Sequence, residues 1–252
     1  MLELEKYNYI KEKYGHYASW AIWASEGDRP KDNMGDLSVF DLSINKKLLQ
    51  ELNPNIILCG LNISARIETP LSNFHGKGGG AYKIRYALHN TPLWGAYMTD
   101  IIKDFEQKSS GKVMQYLRKN RQFEEDNVIT FRQEWESLGV KKPTLIAFGG
   151  DAYSILERNL GNEFPVLKIP HYSNYTGKEK YREQVKSILE NRQEMQTNGD
   201  CQSPGNKSLD CPSQLGQDLD KVSTSEAPCK PQKKSHPSFS ARMGKFGRDE
   251  GI

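Results

Sequence analysis

The sequence has few cysteines and lacks any long apolar run. Of its four cysteines only Cys59 lies in an apolar segment, and no pair has the spacing of a metal site. We therefore expect no disulfide framework, no metal and no cofactor. No run approaches the length that spans a membrane, and residues 1–20 lack the apolar segment of a secretory signal. We expect a cytoplasmic protein with no membrane partner.

Aliphatic periodicity is almost absent from residues 193–252, which are rich in Ser, Pro, Gln, Gly and Lys. Such a segment cannot bury enough apolar surface to offset the entropy lost on ordering. We predict one folded domain over residues 1–192 and a disordered polar tail over 193–252. The net charge of +3 is mild, so it permits a nucleic-acid partner without requiring one.

Four apolar segments of the folded part are typical of strands buried in a parallel sheet. They cover residues 56–59, 94–102, 144–150 and 165–171. Helical patterns lie between them, which indicates an α/β fold with a central, mostly parallel sheet of four strands. A further amphipathic helix is predicted over residues 2–23. Ligands of such sheets bind beyond the carboxyl ends of the strands, so the loops that begin at Gly60, Thr99, Gly149 and Pro170 should share one edge.

Two of these loops carry polar side chains suited to chemistry. The loop "GLNIS" places Asn62 two residues after a glycine, where its amide can hold a water or a ligand oxygen. The loop "HYSNY" contains His171, which can donate a hydrogen bond or a proton, and Ser173, a compact ligand for phosphate. Taken singly, each residue also fits an ordinary structural role.

Taken together and in order, "GLNIS", "YMTDII", "FGGDAYSIL" and "HYSNY" resemble the motifs of the uracil-DNA glycosylase superfamily. The resemblance covers about residues 53–190 and implies a three-layer α/β/α fold. It also implies an enzyme, a monofunctional DNA glycosylase that hydrolyses the N-glycosidic bond of a flipped base and leaves an abasic site. Double-stranded DNA is then the expected partner, and we expect a monomer.

The resemblance assigns roles to individual residues. Asn62 matches the position that orients the hydrolytic water, and His171 matches the residue that stabilises the departing base. Asp100 stands where related enzymes read the base with an asparagine, and Phe74 can stack on the extruded base. DNA contacts are expected from Ser64, Lys77, Lys83, Arg85 and Ser173.

The sequence departs from the family pattern in the two loops and in the base reader. Ile63 and Tyr172 replace family prolines, so both loops lose a fixed φ. An ionised Asp100 only accepts hydrogen bonds, so it would repel O4 of uracil and accept from the exocyclic amine of cytosine. A modified cytosine is therefore the favoured substrate. One candidate is the glucosylated hydroxymethylcytosine of phage DNA, which a similar bacterial defence group removes.

Several alternatives stay open at this point. The protein can be a uracil repair glycosylase, a module that binds modified DNA without catalysis, or an α/β enzyme acting on small nucleosides. Asp100 can be a polar cap of its strand. The glycine-rich segment "HGKGGGAYKIR" is either a mobile surface loop or a DNA contact or lid, and it lacks the Lys-Ser/Thr of a Walker loop.

Overall fold

The computed structural model describes the backbone of residues 2–199 and the side chains of residues 2–191. In chain order its α-helices and strands are α1 (Leu4–Tyr14), β1 (Ala18–Trp20), α2 (Leu48–Glu51), β2 (Asn53–Asn62), α3 (Tyr82–Leu88), β3 (Ala96–Ile102), α4 (Ser110–Lys119), α5 (Arg121–Ser137), β4 (Thr144–Phe148), α6 (Gly149–Leu160), β5 (Val166–Ile169) and α7 (Lys178–Gly199). The helix α7 extends past the predicted domain end at residue 192, and the predicted tail from residue 200 onward lies outside the described residues. No helix in the described range is both long and apolar enough to cross a membrane.

The strands form one sheet in the order β1-β3-β2-β4-β5. The strands β3, β2, β4 and β5 pair in parallel, and β1 pairs with β3 in the antiparallel sense. The predicted α/β class and mostly parallel sheet are confirmed. The predicted number of four strands is wrong, because the described residues contain a fifth strand.

The additional strand, β1, lies where the sequence predicts the second half of a helix over residues 2–23. The helix ends at Tyr14, and the backbone of residues 18–20 pairs with β3 instead. Trp20 lies directly across from Tyr97 in the register, and their buried rings meet edge to face with centroids 4.8 Å apart. This cross-strand aromatic pair stabilises strand geometry at a stretch whose aromatic spacing is equally compatible with a helix.

Apolar side chains cover both faces of the sheet. In β2, Ile57 and Cys59 pack in one buried cluster with residues of α1, α5 and α6, whereas Leu58 packs in a second cluster with residues of α3 and α7. Successive side chains of a strand point to opposite faces, so a strand covered on both sides reads as an unbroken apolar run. This explains why the four parallel strands are visible in the sequence.

A buried polar network fixes the end of β3 against α5. The ammonium of Lys103 and the carboxylate of Glu134 form an ion pair at 2.5 Å, and both side chains are almost fully buried. Tyr97 donates its hydroxyl hydrogen to Glu134 at 2.6 Å, and Lys103 Nζ donates to the backbone carbonyl of Asp100 at 2.7 Å. These contacts fix the end of β3, which carries Asp100, to α5.

Candidate active site

A cavity of about 400 Å³ lies where β2, β3 and β4 end and the loop after β5 begins. The loops predicted to share one edge do meet there. Its lining includes the sequence-predicted residues Asn62, Ser64, Phe74, Asp100, His171 and Ser173. The other predicted residues, Lys77, Lys83 and Arg85, lie outside the lining.

The side chain of Asn62 is anchored through its amide nitrogen. Nδ2 donates to the backbone carbonyls of Ile63 at 2.8 Å and of Phe105 and Gln107 at 2.9 Å. Sharing its two hydrogens among three acceptors fixes the orientation of the amide. Within the described residues no hydrogen bond uses Oδ1 of Asn62, so this oxygen is available as an acceptor for a water or a ligand hydroxyl.

Asp100 brings a buried carboxyl to the end of β3, where its side chain is 4% exposed. Oδ2 accepts a hydrogen bond from Nδ2 of Asn73 at 2.8 Å. A Cβ at Gly60 would overlap Oδ1, so a glycine is needed at that position of β2. Burial raises the pKa of Asp100 to about 6, while the Asn73 hydrogen bond and the charge of Lys103 lower it. At neutral pH the carboxyl is mostly ionised, because its pKa lies about one unit below 7.

Aromatic rings form one wall of the cavity. The ring of Phe74 lies 5.8 Å from that of Phe148 and 6.3 Å from that of Tyr172, centroid to centroid. Phe74 has a left-handed φ of 64°, which is a strained conformation for a bulky residue and is often found at functional sites. The wall offers a planar ligand an apolar surface on which to stack.

The protonation of His171 follows from its hydrogen bonds. Nδ1 accepts from the backbone N–H of Ser173 at 3.2 Å and lies 2.7 Å from its Oγ. A backbone amide can only donate, so Nδ1 is an acceptor and the neutral ring carries its proton on Nε2. Burial lowers the pKa of His171; Asp151 acts in the opposite sense and Lys83 in the same sense. The ring is therefore a neutral donor at pH 7.

Two neighbours fix the position of the His171 ring. The ring of Tyr172 stacks on it with centroids 4.4 Å apart and planes 24° apart. Gly149 has a φ of 87°, and a Cβ added there would lie 3.1 Å from the Cβ of His171. Position 172, where the resembled motif has a proline, thus carries an aromatic ring that packs on the histidine.

The basic residues predicted to contact DNA fall into two groups. Lys77 is exposed, as are Ser64 and Ser173 at the cavity. Lys83 and Arg85 are about 95% buried on α3, a helix that begins inside the glycine-rich segment interpreted above as a loop or lid. Neither side chain is placed at the surface as a DNA contact would be.

The charged groups of Lys83 and Arg85 donate hydrogen bonds to backbone carbonyls. Lys83 Nζ donates to Asn174 at 2.7 Å and to Thr176 at 3.1 Å, which ties α3 to the loop that carries Ser173. The guanidinium of Arg85 donates to the carbonyls of Ala24, Pro30 and Asp32. Both residues therefore hold loops in place.

Sequence reasoning did not find Asn73 or Tyr172 as members of the site. Asn73 lies beside Phe74 in sequence, but its Nδ2 binds Tyr17 and Asp100 from distant parts of the chain, and no motif marks it. Tyr172 stands out in the sequence only because the resembled motif has a proline there, and its large ring is itself a signal that this position forms part of a wall.

Comparison with protein-family models, curated proteins and solved structures found no match to the chain. In the described part of the chain, no group of three or more His, Cys, Asp or Glu side chains can bind a metal ion. The chemistry of the cavity is therefore inferred from its own residues. These are an oriented acceptor at Asn62, a neutral donor at His171, a buried carboxyl at Asp100 and an aromatic wall at Phe74.

Proposed function

We propose that this protein is a monofunctional DNA glycosylase that removes a modified cytosine from double-stranded DNA and leaves an abasic site. The observation that carries the proposal is the convergence of Asn62, Phe74, Asp100 and His171 on one cavity at the end of the parallel strands. The apolar cover on both faces of the sheet is compatible with the three-layer architecture of the superfamily that the motifs resemble. One chain supplies all four residues, so we propose a monomer as the acting species.

Base recognition begins with extrusion of the nucleotide from the helix, at an unstacking cost of roughly a few kcal/mol. In the cavity the base stacks on Phe74 and the rings beside it. The ionised carboxyl of Asp100 then accepts a hydrogen bond from the exocyclic amine of a cytosine. Uracil offers O4 at the same place, and two facing acceptors repel each other, so a cytosine derivative is the favoured substrate.

Cleavage of the N-glycosidic bond transfers its electron pair to the departing base. The Nε2–H of His171 stabilises that negative charge by donating a hydrogen bond. The sugar acquires oxocarbenium character at C1′, and a water held by Oδ1 of Asn62 adds there. The proton that this water loses is taken up by the departing base anion, through solvent. The products are the free base and an abasic site with a hydroxyl at C1′.

The exposed residues around the mouth of the cavity, its rim, hold the DNA backbone in place. Ser64 and Ser173 are exposed beside the cavity, as is Lys108, which no motif marks. Hydroxyls and an ammonium of this kind bind backbone phosphates without reading sequence. Lys77 extends this positive rim on the glycine-rich turn before α3.

The proposal is tested by base release from matched duplexes. The duplexes contain cytosine, uracil, 5-hydroxymethylcytosine or its glucosylated form at one position, and abasic sites are detected by alkaline strand cleavage. We expect release of a modified cytosine by the wild-type protein. Asn62→Ala should abolish release while the variant still binds the duplex, because Asn62 holds the water.

Each of the other outcomes identifies a different function. Release of uracil alone contradicts the choice of base and points to repair. Selective binding of modified duplexes without release of any base points to a recognition module. Cleavage of free nucleosides, together with DNA binding that does not weaken with salt, points to a small-molecule enzyme.

A further inference from the structure

The side chain of Asn73 connects three parts of the cavity through one amide. Nδ2 donates to the carbonyl of Tyr17 at 2.6 Å and to Oδ2 of Asp100 at 2.8 Å, and Oδ1 accepts from the backbone N–H of Phe74 at 3.0 Å. We propose that Asn73 is a positioning residue that makes the cavity select bases with an exocyclic amino group. This inference rests on the proposed glycosylase function and adds the group that sets its specificity.

The amide of Asn73 decides which oxygen of Asp100 reads the base. Both hydrogens of Nδ2 are committed, so the amide cannot reverse without losing three hydrogen bonds. Oδ2 of Asp100 must therefore act as an acceptor toward Asn73. No hydrogen bond among the described residues uses Oδ1 of Asp100. This oxygen lies against Gly60, at the place that a Cβ of residue 60 would occupy. Oδ1 is thus the oxygen of Asp100 that contacts the amino or oxo group of the ligand.

The two protonation states of Asp100 select opposite ligands. In the ionised state Oδ1 accepts a hydrogen bond, which suits an amino group. In the protonated state Oδ2 is still occupied by Asn73, so the proton resides on Oδ1 and the carboxyl donates to an oxo group. Donation from Asn73 favours the ionised state, because a hydrogen bond to a carboxylate is stronger than one to a neutral carboxyl.

The other charged and titratable groups around Asp100 do not replace Asn73. Lys103 donates to the backbone carbonyl of Asp100 and pairs with Glu134, so its charge is largely balanced by a charge that acts in the opposite sense. Burial raises the pKa of Cys59 on β2 and of Tyr172 after β5, so both stay neutral at pH 7. In the described part of the chain, Asn73 is the side chain that donates to this carboxylate.

The same amide also fixes the wall on which the base stacks. The hydrogen bond from the Phe74 backbone N–H holds the left-handed conformation of that residue. A change that keeps this acceptor but removes the donor therefore separates the two roles of Asn73. Asn73→Asp is such a change, because it is isosteric, retains Oδ1 for Phe74 and replaces the donor by a second carboxylate.

The test compares duplexes that contain 5-hydroxymethylcytosine or 5-hydroxymethyluracil, which share a substituent and differ in the amino or oxo group of the ring. Single-turnover release is measured at pH 7.5, together with the Kd for the same duplexes made with non-hydrolysable 2′-fluoroarabino sugars. We expect the wild type to prefer the amino base. Asn73→Asp should reduce that preference at least about tenfold, which is the ordinary worth of a hydrogen bond to a charged group. Asn45→Asp, which makes the same charge change at an amide that binds the Val39 carbonyl, should not.

The wild-type protein provides a second measurement that does not depend on folding of the variant. Its preference in Kd for the amino base should fall as the pH is lowered from 7.5 to 5, because Asp100 becomes protonated. An equal loss of affinity for both bases in Asn73→Asp, or a wild-type preference that ignores pH, overturns the inference. Absence of base release from every duplex removes the glycosylase proposal instead, and the Kd ratios then still decide the role of Asn73.

Discussion

The backbone N–H of Ser173 donates to Nδ1 of His171 across 3.2 Å, and this bond decides which ring nitrogen carries the proton. A backbone amide cannot accept in the reverse sense, so the tautomer is set by the course of the chain. The proton is thereby held on Nε2, whatever side chain stands at position 173. The donor proposed for the departing base is thus fixed before any ligand binds.

We predict that His171 is neutral at pH 7 and protonated on Nε2. Because burial lowers its pKa from 6.5, the ring should titrate below that value. Long-range ¹H–¹⁵N spectra of the histidine rings report both properties, and His171→Gln assigns the signal. Ser173→Ala should keep the tautomer, since the backbone donor remains. An imidazolium at pH 7, or a proton on Nδ1, would contradict this prediction.

Gly60→Ala should disable the cavity, whereas Gly150→Ala should not. A Cβ at residue 60 overlaps Asp100 Oδ1 and would lie 3.2 Å from Cζ of Phe74, but a Cβ at residue 150 meets nothing within 4 Å. Overpacking of this kind costs about 1–3 kcal/mol, which corresponds to roughly a 5- to 150-fold loss in binding of the extruded base. Both glycines line the same cavity, so Gly150→Ala is the matched control. Equal single-turnover rates of base release for the two variants would refute the assignment of Asp100 and Phe74 as the base-contacting pair.

Asp100→Asn should stabilise the fold at pH 7. The pKa of Asp100 is raised in the folded state from 3.8 to about 6, so the folded protein binds the proton more tightly than the unfolded chain. Ionisation therefore costs stability above pH 6, and the penalty disappears as the pH falls below 4. Each pKa unit is worth about 1.4 kcal/mol, so removal of this penalty should raise the free energy of unfolding at pH 7 by about 3 kcal/mol.

The measurement for this variant is urea unfolding at pH 7.5 and at pH 4. The difference between Asp100→Asn and the wild type should be large at the higher pH and small at the lower one. Release of an amino-bearing base should fall in the same variant, because asparagine can turn a donor toward the cavity. A variant that is less stable than the wild type at pH 7.5 would show that the carboxylate is better solvated than its burial indicates.

Lys83→Met and Lys77→Met should have different consequences. Lys83 is buried and donates to two backbone carbonyls, so its loss should lower the free energy of unfolding by about 1–3 kcal/mol and leave the salt dependence of DNA binding unchanged. Lys77 is exposed, so its loss should leave stability unchanged and reduce the slope of log K against log salt by about one. Thermal unfolding measures the stability of each variant, and a salt titration of DNA binding measures the slope. A reduced slope in Lys83→Met would place that ammonium on the DNA.

The sequence permits prediction of the parallel strands because each is buried on both faces. Ile57, Leu58 and Cys59 form an unbroken apolar run, and the chain between such runs has helical periodicity. The edge strand β1 is not recognisable, since its aromatic residues fit a helix and only the pairing of Trp20 with Tyr97 decides otherwise. The helix α3 is concealed by the glycines before it, which have positive φ at residues 79 and 80.

Within the site, residues at strand ends can be predicted and residues that depend on tertiary packing cannot. Asn62 and His171 follow apolar runs directly, so the rule for parallel sheets brings both to one edge. Asn73 acquires its partners from the residue before β1, from β3 and from its own loop only when these come together. The burial of Lys83 and Arg85 is equally invisible, because basic residues beside glycines are typical of exposed loops.

The ends of the sheet have a consequence for behaviour at high concentration. The outer strands β1 and β5 contain only three and four residues, whereas the interior strand β2 contains ten. An edge strand exposes unpaired backbone donors and acceptors in proportion to its length, and long flat edges recruit strands from other chains. The short borders of this sheet offer little template for such addition, which protects the fold against edge-to-edge aggregation.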